Sequence, residues 1–191
     1  MAISSALAAD ASPDDPGQSA SLFRDGQYEL SLNTGVLFSP FLATGGRPTI
    51  NYTITEVQLG YMLSEVHGES WHRGNLELVG EVFGSAIFKG SGNYIAGATL
   101  WLRYNFVPEK CLVVPYVQGG AGLTTTDIDP GIVGQAFNFN LEIGAGTRVL
   151  LNRNWALNLE CRFQHVSNAN TGRHNLGINS IGPIAGVSYL F

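Results

Sequence analysis

The sequence is short of charge. Asp, Glu, Lys and Arg make up 13% of its 191 residues, against roughly 25% in soluble proteins, which argues against a surface coated in solvated charges. It also lacks long apolar runs. Gly or a polar residue interrupts every hydrophobic stretch before the ~20 residues that a membrane-spanning helix needs, so a helical membrane protein is excluded. The 10 Lys and Arg are scattered singly and outnumbered by 15 Asp and Glu, leaving no basic patch for nucleic acid. There are two cysteines, Cys111 and Cys161, in different predicted strands and in no metal-spaced pair, and they read as free thiols. His67, His72 and His174 lie in loops without ligand spacing. No metal site and no cofactor is expected.

What is present is β-structure. The chain carries 24 Gly, is 10% aromatic and 45% hydrophobic, and from residue 27 onward runs with a two-residue period broken by turn-forming clusters. Eight segments emerge: 28–38, 52–63, 75–88, 94–106, 112–123, 136–150, 155–167 and 180–191. In 94–106, for example, Ala98, Leu100, Leu102 and Tyr104 alternate with Thr99, Arg103 and Asn105.

Alternation alone does not say which face points inward, but three features do. The segments are ~10 residues or longer, as tilted membrane strands require, whereas strands in soluble domains centre on ~5–6. Connections tend to alternate in length: "LATGGRP", "TDIDPGIVG" and "NANTGRHN" on one side, "PEK" and "NRN" on the other. "SEVHGESWHRG" and "KGSGN" break that rule. Finally, the polar face gathers Glu29, Glu56, Glu77, Glu81, Arg103, Glu142, Arg148, Glu160 and Arg162, a mixed set suited to pairing inside a narrow barrel.

The reading is all-β: an eight-stranded antiparallel up-and-down transmembrane β-barrel over residues 27–191, preferred to a lipocalin-like soluble barrel. Residues 1–8, with Ala6-Leu7-Ala8, resemble the cleavage end of a signal peptide, and 9–26 is expected to be a flexible segment. The terminal Phe191, in phase with Tyr189 and Val187, suits an outer-membrane strand.

One stretch breaks the pattern. In "ECRFQHVSNANTGRHNLGINSIG", residues 160–182, His165 and Ser167 share parity with Leu157, Leu159, Cys161 and Phe163, the face that should meet lipid. A polar group facing hydrocarbon is costly unless it is satisfied, and residues two apart on a strand share a face roughly 6.5–7 Å apart. An imidazole there reaches the hydroxyl, so His165 is a candidate general base for a Ser167 nucleophile. A third group must hold the other ring nitrogen; Asn179, across the hairpin, is the first candidate and Asn175 the second. The bland alternative is a snorkelling histidine beside an ordinary strand-end serine.

"RFQHVSNA", followed by a polar loop, "NLGINSIG" and a last strand ending in an aromatic residue, resembles the outer-membrane lipid A 3-O-deacylases of the PagL type. The resemblance implies His165 as base, Ser167 as nucleophile and Asn168 as the residue of oxyanion stabilisation. It also implies an outer-membrane location and lipid A or lipopolysaccharide among outer-membrane lipids as the partner, with hydrolysis of an ester-linked acyl chain as the reaction. One position departs from the family. Its best-known members carry Glu where this chain has Asn179, and no acidic residue follows Glu160. The competing reading is a non-catalytic structural or adhesive barrel. A second copy of the chain, forming a homodimer, is a further partner that the reading admits.

Overall fold

The computed structural model describes residues 21–39, 47–109 and 112–191. Eight antiparallel strands, β1 Tyr28–Leu37, β2 Asn51–Met62, β3 Gly74–Lys89, β4 Tyr94–Phe106, β5 Val113–Thr126, β6 Phe137–Leu150, β7 Trp155–Ser167 and β8 Ile178–Leu190, close in sequence order, with β8 pairing back onto β1. No described helix is long and apolar enough to cross a membrane. Strand bounds lie within a few residues of those expected. β5 runs on to Thr126 because Thr124 and Thr126 still point inward.

The barrel is turned inside out relative to a soluble one. Val82 is 60% exposed and Ile143 63%, whereas the glutamates and arginines of the other face are buried. Inside, six glutamates (Glu29, Glu56, Glu77, Glu81, Glu142, Glu160) share three arginines (Arg103, Arg148, Arg162). Arg162 touches Glu81 at 3.1 Å, Glu160 at 2.7 Å and Glu142 at 3.7 Å, and also pairs with Glu56. Arg148 bridges Glu29 and Glu77, and Arg103 lies 3.4 Å from Glu77. Aromatic rings cover the guanidinium planes: Trp101 lies 4.7 Å from Arg162, and Tyr116 is 4.8 and 4.9 Å from Arg103 and Arg148. This filling is what an eight-stranded barrel has room for.

Simple parity missed one feature of the interior. The charged layer is capped at both ends by apolar clusters, with Leu37, Ile50, Ile54, Phe83, Ile95 and Val166 among those toward the β7–β8 loop and Phe23, Met62, Val107 and Leu190 among those toward the termini. Phe23 also corrects the expectation of a flexible segment reaching residue 26. It is fully buried, its carbonyl accepts from Asn75 Nδ2 at 2.6 Å, and Gly26 N–H donates to Met62 O at 3.0 Å. The earlier part of that segment and the signal-like residues 1–8 lie outside the described residues, as does Cys111. Cys161 is a free thiol on the outer face.

Aromatic rings ring both ends. Tyr28 stacks on Phe191, which stacks on Tyr189, itself packed on Trp155, and Tyr28 also meets Tyr61. At the other end Phe38 meets Phe88 and Phe137 meets Phe139. Such belts mark the two membrane–water boundaries. Just beyond the outer belt, Asp127 accepts from Asn93 N, Asn93 Nδ2 and Tyr94 N. Those donors hold its carboxyl below the usual range and tie the β3–β4 turn to the end of β5.

Candidate active site

Strand β7 sets Ser167 opposite Phe139 of β6 and His165 opposite Leu141, at the depth of the outer aromatic belt. On the other side β8 sets Asn179 directly opposite His165. All three side chains are half-buried and lie on the outward face. His165 Nε2 lies 2.9 Å from Ser167 Oγ, and Nδ1 lies 2.6 Å from the Asn179 amide. The sheet register therefore brings the three together from two neighbouring strands.

The Asn179 amide fits these surroundings in two orientations. With Oδ1 toward the ring it accepts from Nδ1–H, leaving Nε2 free to accept from the serine hydroxyl. With the amide turned over, Nδ2 donates to Nδ1 at 2.6 Å and to the Ile178 carbonyl at 3.3 Å, while Oδ1 accepts from Arg47 Nη1 at 2.7 Å. The second orientation pairs every atom with its complement. The first sets the amide nitrogen against a guanidinium donor, since arginine has only donors to offer.

The side chains of Asn168 and Asn175 brace the loops around the site. Asn168 is fully buried, and its Nδ2 donates to Val133 O at 2.9 Å and His174 O at 2.7 Å. Its side-chain Oδ1 accepts from Asn170 N. The residue thus clasps the β5–β6 loop, whose one-turn helix Pro130–Val133 supplies the Val133 carbonyl, to the β7–β8 loop. Two successive left-handed residues, Ala169 and Asn170 (φ 52° and 63°), turn the chain around it, a local strain of the kind found at functional sites. Asn175 Oδ1 accepts from the Asn168 backbone N–H at 3.2 Å, and Asn175 Nδ2 donates to Asn170 Oδ1. Asn175 is thus a loop brace, and the place at the imidazole belongs to Asn179.

Two contributors escaped the sequence reading. Arg47, just before β2, reaches across to donate from Nε to the Leu176 carbonyl at 2.8 Å. Gly177, at φ 68°, lies against the imidazole: a Cβ there would stand 3.1 Å from His165 Cε1 and 3.5 Å from Ser167 Cβ. A loop glycine that lies against a histidine of the adjacent strand gives no sequence signal of its own. Gly177→Ala is expected to cost about 1 kcal/mol in folding, from the left-handed backbone, and to lower turnover by up to ~10²-fold by shifting the ring. Paired unfolding and rate measurements on one preparation check this; equal turnover would show that the glycine serves the backbone only.

Among the described residues no cluster of His, Cys, Asp and Glu is built to hold a metal ion.

The sequence model of a family described as "Lipid A 3-O-deacylase (PagL)" matches residues 51–188, a span that contains His165, Ser167 and Asn179. Among solved structures, the outer membrane enzyme PagL is 18% identical, with a TM-score of 0.55 over 83% of this chain and 97% of its own. Neisserial surface protein A is 17% identical, with a TM-score of 0.59 over 87% and 98%. The N-terminal β-barrel domain of Pseudomonas aeruginosa OprF is 15% identical, with a TM-score of 0.57 over 87% and 98%. At these identities the likenesses establish the barrel fold. Among curated protein sequences none matches the chain.

Proposed function

Because the chain belongs to the lipid A 3-O-deacylase (PagL) family and is an outer-membrane β-barrel, we propose that it hydrolyses an ester-linked acyl chain of lipid A at the outer leaflet. Ser167 is the nucleophile, His165 the base and Asn179 the residue that orients the imidazole. The observation that carries the proposal is the outward-facing Ser167–His165–Asn179 set, within hydrogen-bond reach at the depth of the outer aromatic belt. An ester at the headgroup boundary lies at that depth, so the lipid need not leave the bilayer.

Below the site the outward face turns apolar: Phe163 pairs with Ile181, Cys161 with Pro183 and Leu159 with Ala185. This lane suits an acyl chain running toward the bilayer centre. In the reaction Ser167 Oγ bonds to the acyl carbonyl carbon as its proton passes to His165 Nε2. The bond from that carbon to the sugar oxygen breaks, and His165 returns the proton to the leaving oxygen. Water, deprotonated by the same nitrogen, then bonds to the acyl carbon; the bond from that carbon to Oγ breaks, His165 returns the proton to Oγ, and the fatty acid leaves.

For the oxyanion we assign the backbone N–H of Asn168, the residue after the nucleophile, the position that serves in α/β-hydrolases. Its present bond to Asn175 is long at 3.2 Å and exchangeable for a substrate oxygen, whereas its side chain is engaged with two carbonyls.

Mass spectrometry of lipid A from cells expressing the parent chain or Ser167→Ala, at matched levels of folded barrel, tests the proposal. Loss of one ester-linked 3-hydroxyacyl chain with the parent alone is expected. Identical lipid A in both would favour a non-catalytic barrel.

A further inference from the structure

The geometry points to Arg47 as a positioning residue that holds His165 in the tautomer unable to take the Ser167 proton, acting through the Asn179 amide. The inference rests on the Ser167–His165 reading given above. A neutral imidazole carries one N–H, and the group facing one ring nitrogen decides which nitrogen bears it. Arg47 is moored by its Nε to the Leu176 carbonyl, and Leu176 is held in turn by its N–H on Ile132 O at 3.0 Å. From that mooring Nη1 faces the Asn179 amide at 2.7 Å.

A guanidinium only donates, so it selects the amide oxygen and turns Nδ2 toward the ring. Nδ1 must then accept, which places the ring proton on Nε2, pointing at Ser167 Oγ. A serine oxygen that receives a hydrogen bond from this nitrogen has no base. Release requires the amide to turn over, and Arg47 opposes that turn with a donor-against-donor contact.

A carboxylate at position 179 has no such choice to make. Both of its oxygens accept, so it would take Nδ1–H on one side and the guanidinium on the other. The sign of the Arg47 effect is therefore set by residue 179: Arg47 is a brake beside asparagine and a support beside an acid.

The test uses the full-length barrel in detergent micelles with a short-chain nitrophenyl ester, a probe without phosphate, so that attraction of Arg47 to anionic lipid does not enter. Arg47→Ala is expected to raise kcat roughly tenfold with KM little changed, the scale of one charge-assisted hydrogen bond. In an Asn179→Asp background the same change is expected to lower kcat. In parallel, nitrogen NMR of the His165 imidazole should show the proton on Nε2 in the parent and on Nδ1 after Arg47→Ala.

A ring proton that stays on the same nitrogen in both, or a fall in kcat in the Asn179 background, overturns the inference. The outcomes separate the two claims. Absence of Ser167-dependent hydrolysis even with Asn179→Asp would sink the ester-hydrolase reading, while the NMR tautomer would still decide the role of Arg47.

Discussion

Replacing His165 by alanine is expected to reduce Ser167-dependent ester cleavage by roughly 10⁴-fold or more, on the scale of triad deletions elsewhere, and to leave the barrel's stability nearly untouched. Both halves follow from where the residue sits. Its Nε2 is 2.9 Å from the serine oxygen, and among the described residues no carboxylate faces the hydroxyl to replace it; the glutamates are all on the opposite face of the wall or in remote loops. Without a base the hydroxyl is a weak nucleophile at neutral pH. The ring itself projects outward and packs no interior cluster, so its removal opens no cavity. A stability change within about 0.5 kcal/mol, as for substitutions away from packed features, should accompany the kinetic loss. Single-turnover rates and urea titrations in lipid vesicles measure the two quantities separately. A drop of less than tenfold would mean that another group takes the proton, and the assignment of the base would be withdrawn.

Arg162→Met is expected to do the reverse. The guanidinium stands among Glu56, Glu81, Glu142 and Glu160, with Trp101 over its plane. Removing it leaves carboxylates facing one another in an interior where the described residues include six buried glutamates and three buried arginines. Deleting one partner of a buried pair typically costs about 3–5 kcal/mol, and this arginine serves more than one acid, so the upper end is expected. The variant should unfold at markedly lower urea. Adding Glu56→Gln and Glu81→Gln should recover part of the loss, because the repulsion is then removed with the attraction; non-additivity of this kind identifies a network. If Arg162→Met unfolds within about 1 kcal/mol of the parent, the ion-pair layer does not hold the barrel together. The Ser167–His165 pair lies on the outward face of the wall, so the proposed ester cleavage should be unchanged in whatever fraction folds.

These two expectations divide the molecule, and the sequence foreshadows the division unevenly. Every strand was visible because an inside-out barrel is a period-two object, and the misplaced polarity of His165 and Ser167 singled out the site. Asn179 was within reach too, since a hairpin of known ends fixes which residue faces which. The ends of the interior were harder to read. Phe83 and Tyr52, and Trp101 in the charged layer, point inward on the parity expected to be polar, and contacts with neighbouring strands explain them. Phe23 could not be seen as part of the barrel because it belongs to no alternating run. Arg47 and the clasping role of the Asn168 side chain were beyond a linear reading for a different reason. What each does depends on carbonyls contributed by other loops, Leu176 for one and Val133 and His174 for the other, and on which end of an amide faces which donor.

A site that opens sideways through the wall of a barrel meets its surroundings in two dimensions. Ser167 and His165 face the plane of the bilayer, level with Phe137 and Phe139, so in the proposed reaction encounters would be governed by lateral diffusion and by how crowded the leaflet is with cleavable lipid. The concentration that matters is then a mole fraction within the membrane. Diluting a vesicle suspension with buffer would leave the rate per enzyme unchanged, whereas diluting the substrate with inert lipid inside the same vesicles would slow it.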